Sequence, residues 1–551
     1  MKITTRKIGF LIFASVHILG VHAADCKFAT VGSPHSNCFD IAAAAGITVA
    51  QLTSFNPGLN CNLLQLGQRL CTSTGTLPGI PKPNPDGSCA TYKIKSGDFC
   101  SAIAAANSIT VAQLESFNTK TYKWKGCTNI AIDLVICLST GTPPPIPINP
   151  LLDCGPETQG NKTCPLNACC SAFGYCGLTS EFCSTAPNGD PCNSNCGITA
   201  LPSCSGTQLT RKIGYYASWA SRRKCQPFGP ENLDLTGYTH VIYAFVNISP
   251  LLELSMTGPD ENILKGLVAR KTDFPNVKIL FAVGGWAFST EDATRTIFTT
   301  MVSTAASRTK FVAAVKQFLV RYKLDGVDID FEYPSAMERN APASETPNLT
   351  AFFQELRSSL PSSAIISIAA PAGYWFLKGF EINKLQNYVT FINMMSYDYH
   401  GPWDRNVQEN GTAKPHTSAQ DIEDSIRLYK RAGIDLGKVN LGLAWYGRTF
   451  AVGSCNGLGC KMSGGGSPGP CTGESGILSQ LEVKDKAKGI TPTYNATSMT
   501  YSFNRDGDYI TFDDTTSWTA KTNLAKTRCF GGTFVWYDIF SFFCSSFHNF
   551  I

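Results

Sequence analysis

Four acidic residues fall within eight positions of the segment LDGVDIDFEYP (324–334): Asp325, Asp328, Asp330 and Glu332. Side chains alternate faces along a β-strand, so Asp328, Asp330 and Glu332 project one way and Val327, Ile329 and Phe331 the other. Carboxylates a few ångströms apart in a buried setting cannot all ionise; they share protons, and at least one pKa rises. A carboxyl kept protonated near neutral pH is what a general acid requires. Glu332, last of the three and at the strand's C-terminal end, is the candidate acid, with Asp330 and Asp328 as its proton-sharing neighbours. An antiparallel strand with one wet face would show the same alternation, so the surrounding elements decide between the two readings.

Those elements begin near residue 211. Eight apolar, β-rich runs follow, KIGYYASW, HVIYAFVNI, VKILFAVGGW, LDGVDIDFEYP, IISIAAPAG, VTFINMMSYDYHG, VNLGLAWYGRTF and CFGGTFVW, with helical patterns between most of them. Strands alternating with helices predict a parallel sheet, and eight units predict a closed (β/α)8 TIM barrel over 211–551. In a barrel one strand face meets helices and the other the packed interior, so three acids there are costly unless they do chemistry. The stretch of about 449–528 is too long for a simple crossover. Its Gly-rich part with Cys455, Cys460 and Cys471, then the strand-like YITFDD (509–514), predicts an α+β insertion before the last strand.

The remainder of the 551 residues is modular, in line with a prior of roughly 150 residues per domain. The formal charge of +5 and a charged fraction of 16% make no electrostatic case for nucleic acid or an acidic membrane, and an uncharged partner is expected. Residues 1–23 read as a secretory leader: Lys2, Arg6 and Lys7 precede an apolar run from Ile8 to Val21 and the small residue Ala23. That run is shorter than the roughly 20 residues a membrane-crossing helix needs. Export suits the 23 cysteines and the sequons at Asn161, Asn247, Asn348, Asn410 and Asn495. Sixteen of those cysteines precede Gly197, in groups of four, four and eight. They mark three small modules at 24–73, 89–138 and 154–197, joined by linkers at 74–88, 139–153 (Pro-rich) and 198–210.

The first two modules repeat each other: Cys38, ITVAQL (47–52) and Ser54-Phe55-Asn56 recur as Cys100, ITVAQL (109–114) and Ser116-Phe117-Asn118. Each reads as a strand, an alanine-rich helix, a second helix begun by Thr48 or Thr110, and a closing strand before Cys71 or Cys137. This pattern resembles the LysM module, which implies binding of N-acetylglucosamine chains; the second copy keeps the Gly97-Asp98 pair of that family and the first has Gly32-Ser33. The third module carries CCSAFGYCG and eight cysteines but no histidine, so disulfides rather than zinc are expected to hold it. It resembles a hevein-type chitin-binding domain, and the resemblance implies sugar contacts from Ser171, Phe173, Tyr175 and Phe182.

The DxxDxDxE motif at Asp325 to Glu332 resembles glycoside hydrolase family 18, as do Gly284-Gly285-Trp286, Met395, Tyr397 and Asp398, Trp403, Tyr446 and Arg448, and Trp536. The resemblance implies a chitinase using substrate-assisted retaining chemistry, with no metal and no cofactor. In that scheme Glu332 protonates the glycosidic oxygen, Asp330 orients the substrate acetamide, Asp328 trades a proton with Asp330, and Tyr397 hydrogen-bonds the acetamide. Trp536 floors the reacting sugar, and Asp398, Met395, Tyr446, Arg448, Trp286, Trp403 and Tyr333 are substrate-binding positions. Two departures stand out: Ala282 where the family often has serine, and the Phe-rich YDIFSFFCSSFHNFI after Trp536, which lacks the usual exit pattern and last helix and suggests a truncated or alternatively spliced end and a less stable barrel. The odd cysteine total leaves at least one thiol free or paired between chains, with a disulfide-linked partner chain as one outcome. Two other functions fit the same architecture: a killer-toxin-type subunit, and a non-catalytic chitin lectin, against which the intact Glu332 argues.

Overall fold

Eight apolar strands bury both faces at once when helices cover one side and the strands close around the other. The computed structural model, which describes residues 25–537 apart from 33, 66, 78, 186–190, 206–207, 407–410 and 456, has this closure. The expected leader and the segment after Tyr537, with Cys544, lie outside the described residues. The strands are β1 (Arg211–Ala217), β2 (His240–Ile248), β3 (Lys278–Gly284), β4 (Gly326–Asp330), β5 (Ile365–Pro371), β6 (Phe391–Met395), β7 (Val439–Ala444) and β8 (Gly532–Trp536). Each pairs in parallel with the next, and β8 returns to β1.

Helices Gly258–Ala269, Ala305–Tyr322, Glu345–Ser359, Ala419–Arg431 and Thr515–Thr527 accompany the barrel. Thr257, Thr304 and Asp514 start three of them by accepting a backbone N–H from the first turn. Outward residues such as Phe281, Ile329 and Phe331 share a core with helix residues such as Phe311 and Phe352. The interior is a separate, smaller cluster that includes Tyr215, Ile242, Leu280, Ala282 and Phe534.

The inserted sheet has different bounds from those expected. It begins at Tyr446, because the strand Tyr446–Ala451 pairs antiparallel with Ile477–Ser479 and Asp508–Phe512 instead of prolonging β7. It ends before Asp514: Trp518 Nε1 donates to Ala444 O at 3.2 Å, which places helix Thr515–Thr527 against the barrel. Residues 198–210 also differ from a free linker, since a Cys204–Cys529 disulfide and a bond from Lys430 Nζ to Ala200 O (3.1 Å) pin them to the barrel.

The described residues form two compact units that divide after Ile148. In the first unit both copies of the repeat pair their strands, Phe28–Thr30 with Arg69–Cys71 and Thr91–Lys93 with Val135–Cys137. Matching disulfides staple them, Cys26–Cys71 and Cys38–Cys61 in one, Cys89–Cys137 and Cys100–Cys127 in the other. Thr48 with Gln51, and Thr110 with Gln113, form capping boxes. The repeated asparagine is structural: Asn118 Nδ2 donates to Leu114 O and Cys137 O, and Cys137 N donates back to Asn118 Oδ1. In the second copy Asp98 accepts from Tyr92 Oη (2.9 Å) and Lys95 N (2.7 Å), which shapes the loop. The eight-cysteine module belongs to the second unit and is closed by Cys154–Cys170, Cys164–Cys176, Cys169–Cys183 and Cys192–Cys196. All cysteines among the described residues are thus in bridges, with Cys225–Cys471 and Cys455–Cys460 completing the set.

Lys521 and Asp513 form a fully buried pair, with Nζ 2.6 and 2.7 Å from the two carboxylate oxygens. Lys521→Met leaves the Asp513 carboxyl buried without its ion-pair partner, and the expected loss is about 3–5 kcal/mol of stability. The measurement is the denaturation midpoint, and an unchanged midpoint would show that the pair contributes nothing.

Candidate active site

Strand β4 delivers its acids to the barrel interior because its other face is apolar: Val327, Ile329 and Phe331 are wholly buried in the helix-facing core. Asp328 is fully buried, Asp330 almost so, and Glu332, just past the strand end, is half-buried. The register sets Asp328 between Ala282 of β3 and Ser367 of β5. The close approach of β3 to β4 needs the glycine pair: Gly285 N donates to Asp330 O at 2.8 Å, and a Cβ on Gly284 would lie 2.0 Å from that same oxygen. Both glycines have positive φ, at 110° and 89°.

The loop carrying Glu332 is held from behind. Glu332 N donates to Ser289 Oγ (3.1 Å), while Arg339 donates to Tyr333 O, Ser289 O and Arg295 O at 2.9, 3.0 and 2.7 Å. Arg339 is itself paired with Glu345, which is buried and accepts Ser335 N at 2.8 Å. A fixed loop is the condition for a positioned acid.

Asp328 ends a chain of buried hydrogen bonds that the sequence pattern did not single out. Arg211 Nε donates to Asn440 Oδ1 (2.7 Å), Asn440 Nδ2 to Asn393 Oδ1 (2.8 Å), Asn393 Nδ2 to Tyr215 Oη (2.9 Å), and Tyr215 Oη to Asp328 Oδ2 (2.8 Å). Ser367 Oγ donates to the other oxygen at 2.6 Å. All the bonds of the chain point the same way, from a guanidinium at the start of β1 to a carboxylate, so each polarises the next. A polar residue inside an apolar parallel strand, as in FINMM or VNLG, was the available signal.

Burial pushes the Asp328 carboxyl up to about 6, against the lowering effect of Ser367 and Tyr215. Asp330 is raised well above the ordinary range by burial, then by the charges of Glu332 and Asp328. Its Oδ1 is buried with no hydrogen-bond partner among the described residues. Burial raises Glu332 to about 7, outweighing hydrogen bonds with Tyr333 and Asp330. Asp398 shows the opposite behaviour: burial favours its neutral form, but Arg448, donating through Nε and Nη2 at 2.7 Å each, and His416 hold it well below the usual carboxylate range.

The other expected residues gather around these acids. Burial, then the neighbouring Tyr446 and Tyr215, and last the charges of Asp330 and Glu332, raise the Tyr397 hydroxyl well above the usual value. Tyr446, buried in the inserted sheet, meets the Tyr397 ring at 6.2 Å, and Met395, Tyr397 and half-buried Trp536 pack on the interior cluster. The Trp536 ring lies 5.2 Å from Tyr215. Tyr333 stacks on Phe376 at 4.3 Å. Trp286 and Trp403 are more than half exposed, so neither is a core residue, and the Arg448 guanidinium lies 4.9 Å from the Trp403 ring centre. The module residues divide. Phe173 and Tyr175 are exposed, whereas Ser171 is buried with its hydroxyl accepting Tyr175 N at 3.2 Å, and the Phe182 ring covers Gly177.

A carboxyl stack at the C-terminal end of a closed barrel is an arrangement for acid catalysis. The family model for glycosyl hydrolases family 18 matches residues 211–538. The chain belongs to this family. Models for the chitin recognition protein and the LysM domain match 153–196, and 36–73 with 92–139, so this family 18 chain also carries both module types. It is 35% identical to the secreted chitinase LysM12 of Penicillium expansum over 93% of its own length and 37% of that protein's. It is 34% identical to the killer toxin subunits alpha/beta of Kluyveromyces lactis over 89% of its length and 44% of theirs. The chain therefore spans less than half the length of these relatives. Among solved structures, the group IV chitinase of Ostrinia furnacalis superposes with a TM-score of 0.53 at 25% identity, covering 59% of this chain and 92% of that one. Human YKL-39, a pseudo-chitinase with retained chitooligosaccharide binding, shares the fold at 24% identity and a TM-score of 0.53, over 59% of this chain and 92% of its own.

Two outcomes are expected from these carboxyl environments. A carboxyl whose pKa in the folded protein is about 7 keeps its proton below that pH and loses it above, so any hydrolysis that depends on Glu332 as acid should fall as pH rises through about 7. A rate constant flat to pH 9 would contradict the assignment of Glu332 as acid. Tyr215→Phe removes a donor that lowers the Asp328 pKa, and the acid limb of the pH profile should move upward. A lower rate with an unmoved limb would leave Tyr215 with a packing role only.

Proposed function

We propose that the protein is a secreted chitinase that cleaves β-1,4 links between N-acetylglucosamine units with retention of configuration. The observation that carries this reading is the triad of Asp328, Asp330 and Glu332, with Glu332 half-buried, raised to about 7 and beside an Asp330 whose Oδ1 has no partner among the described residues. Glu332 gives its proton to the glycosidic oxygen as the bond to the anomeric carbon breaks, and the substrate's acetamide oxygen bonds to that carbon to form an oxazolinium ion. Asp330 accepts the acetamide N–H, Tyr397 donates to the acetamide, and Asp328, held by Tyr215 and Ser367, exchanges the proton with Asp330. Water then attacks the anomeric carbon, its proton passes to the Glu332 carboxylate and the oxazolinium opens. No protein nucleophile is needed, a recognised exception to the two-carboxylate scheme. Trp536 floors the reacting sugar, while Trp286 and Trp403 offer flat apolar faces at the rim. The N-terminal modules raise the local concentration of the barrel at an insoluble polymer.

The similarity to the Kluyveromyces lactis toxin supports a second reading, a chitin-binding toxin-type subunit that keeps the same chemistry and acts with a partner chain. Glu332→Gln is expected to reduce release of chitooligosaccharides from colloidal chitin by roughly 10²–10⁴. A fully deacetylated polymer should resist the wild type, because it lacks the internal nucleophile. Equal activity of wild type and variant would end the proposed mechanism.

A further inference from the structure

The eight-cysteine module is not suspended on a tether. Arg431, at the end of helix Ala419–Arg431, donates through Nη1 to Asn167 O (3.0 Å) and Asn195 O (2.9 Å) and through Nη2 to Gly197 O, and Asn167 Nδ2 returns a bond to Arg431 O at 2.9 Å. On the other flank Tyr374, in the loop after β5, packs against the module's Cys154, Cys164 and Cys170. Leu166 and Leu178 of the module touch the barrel's own core. The pinned segment with the Cys204–Cys529 disulfide closes the attachment.

At this seam lies a cavity of about 250 Å³ whose walls come from both parts: Pro165 of the module, and Met337, Glu338, Trp375, Phe376 and Lys378 of the barrel loops after β4 and β5. Trp375 is 49% exposed although its Nε1 donates to Glu338 Oε1 at 2.6 Å, and Lys378 Nζ sits 3.9 Å from its ring centre. A large ring held this firmly and left half open is unusual unless something flat covers it. Phe376 in the cavity wall stacks on Tyr333, the neighbour of Glu332. On the module side, Asp153 N and Cys154 N donate to Gly174 O, between the exposed rings of Phe173 and Tyr175.

We propose that Trp375 and the cavity beside it form a carbohydrate subsite at the seam, taking one N-acetylhexosamine unit of a polymer whose reacting link lies at Glu332. The pyranose face stacks on Trp375, Glu338 accepts from a hydroxyl or amide N–H, and Lys378 donates to an acetamide carbonyl. The docked module then lengthens the cleft at a fixed distance, so its contribution is preorganised instead of depending on a flexible linker. This inference rests on the chitinase reading, and the test separates the two. In the full chain carrying Glu332→Gln, binding of chitohexaose and chitotriose is measured by titration calorimetry with and without Trp375→Ala. The ratio of the two affinities should fall about tenfold in the Trp375 variant. Trp375→Phe should retain most of it, and Arg431→Ala, which loosens the docking without touching the cavity, should lower it in the same direction. An unchanged ratio in Trp375→Ala, with the wild type still releasing sugars from colloidal chitin, overturns the subsite alone. If the protein with native Glu332 neither cleaves nor binds, the subsite falls together with the reading beneath it.

Discussion

Three carboxyl groups on one face of one strand, inside a closed barrel, cannot all carry charge: the interior cannot solvate them as water does, and their mutual repulsion adds to the cost. The rest of the second unit answers that constraint. Asp328 receives hydrogen bonds on both oxygens, one of them the last in a row of donors that starts at Arg211. Burial still raises its carboxyl, and it raises Asp330 and Glu332 as well, Glu332 to about 7. Carboxyl groups on one strand face thus differ in proton affinity because their surroundings differ.

Holding this arrangement in place takes parts from far along the chain. The glycine pair after β3 lets the backbone reach Asp330, Arg339 braces the Glu332 loop against buried Glu345, and the inserted sheet sends Tyr446 and Arg448 to Asp398. Disulfides do comparable work where cores are too small to do it. The third module has little inside besides its sulfurs, and each half of the repeat has only a handful of buried apolar residues. The third module is also fixed to the barrel, through Arg431 and the segment held by the Cys204–Cys529 disulfide.

Much of the site could be read before any coordinates because its signals are local. Asp328, Asp330 and Glu332 follow a period of two, and a strand of that period has one inward face. The Gly-Gly-Trp turn, the repeat with its Thr caps and the cysteine groupings are equally short-range patterns. The partners that tune Asp328 were not legible in this way. Tyr215, Ser367, Asn393 and Asn440 lie on four other strands, and nothing in their own segments specifies which atom they meet across the barrel. Ser171 and Phe182, for which the hevein-type resemblance implied sugar contacts, show the same limit, because the burial of one and the lie of the other on Gly177 are set by packing. The insertion bounds shifted because Tyr446–Ala451 pairs away from β7, a choice made by hydrogen bonding and not by hydrophobicity.

The sequence by itself determined the element types, the count of eight strands, the modular order and the residues able to carry acid chemistry, since periodicity and residue type are properties of short windows. Tertiary structure alone decided which side chains meet Asp328, which tryptophans stand open, and that residues 198–210 tie a module to the barrel. Those outcomes depend on register, closure and burial, and each of these is set by contacts between residues tens to hundreds of positions apart.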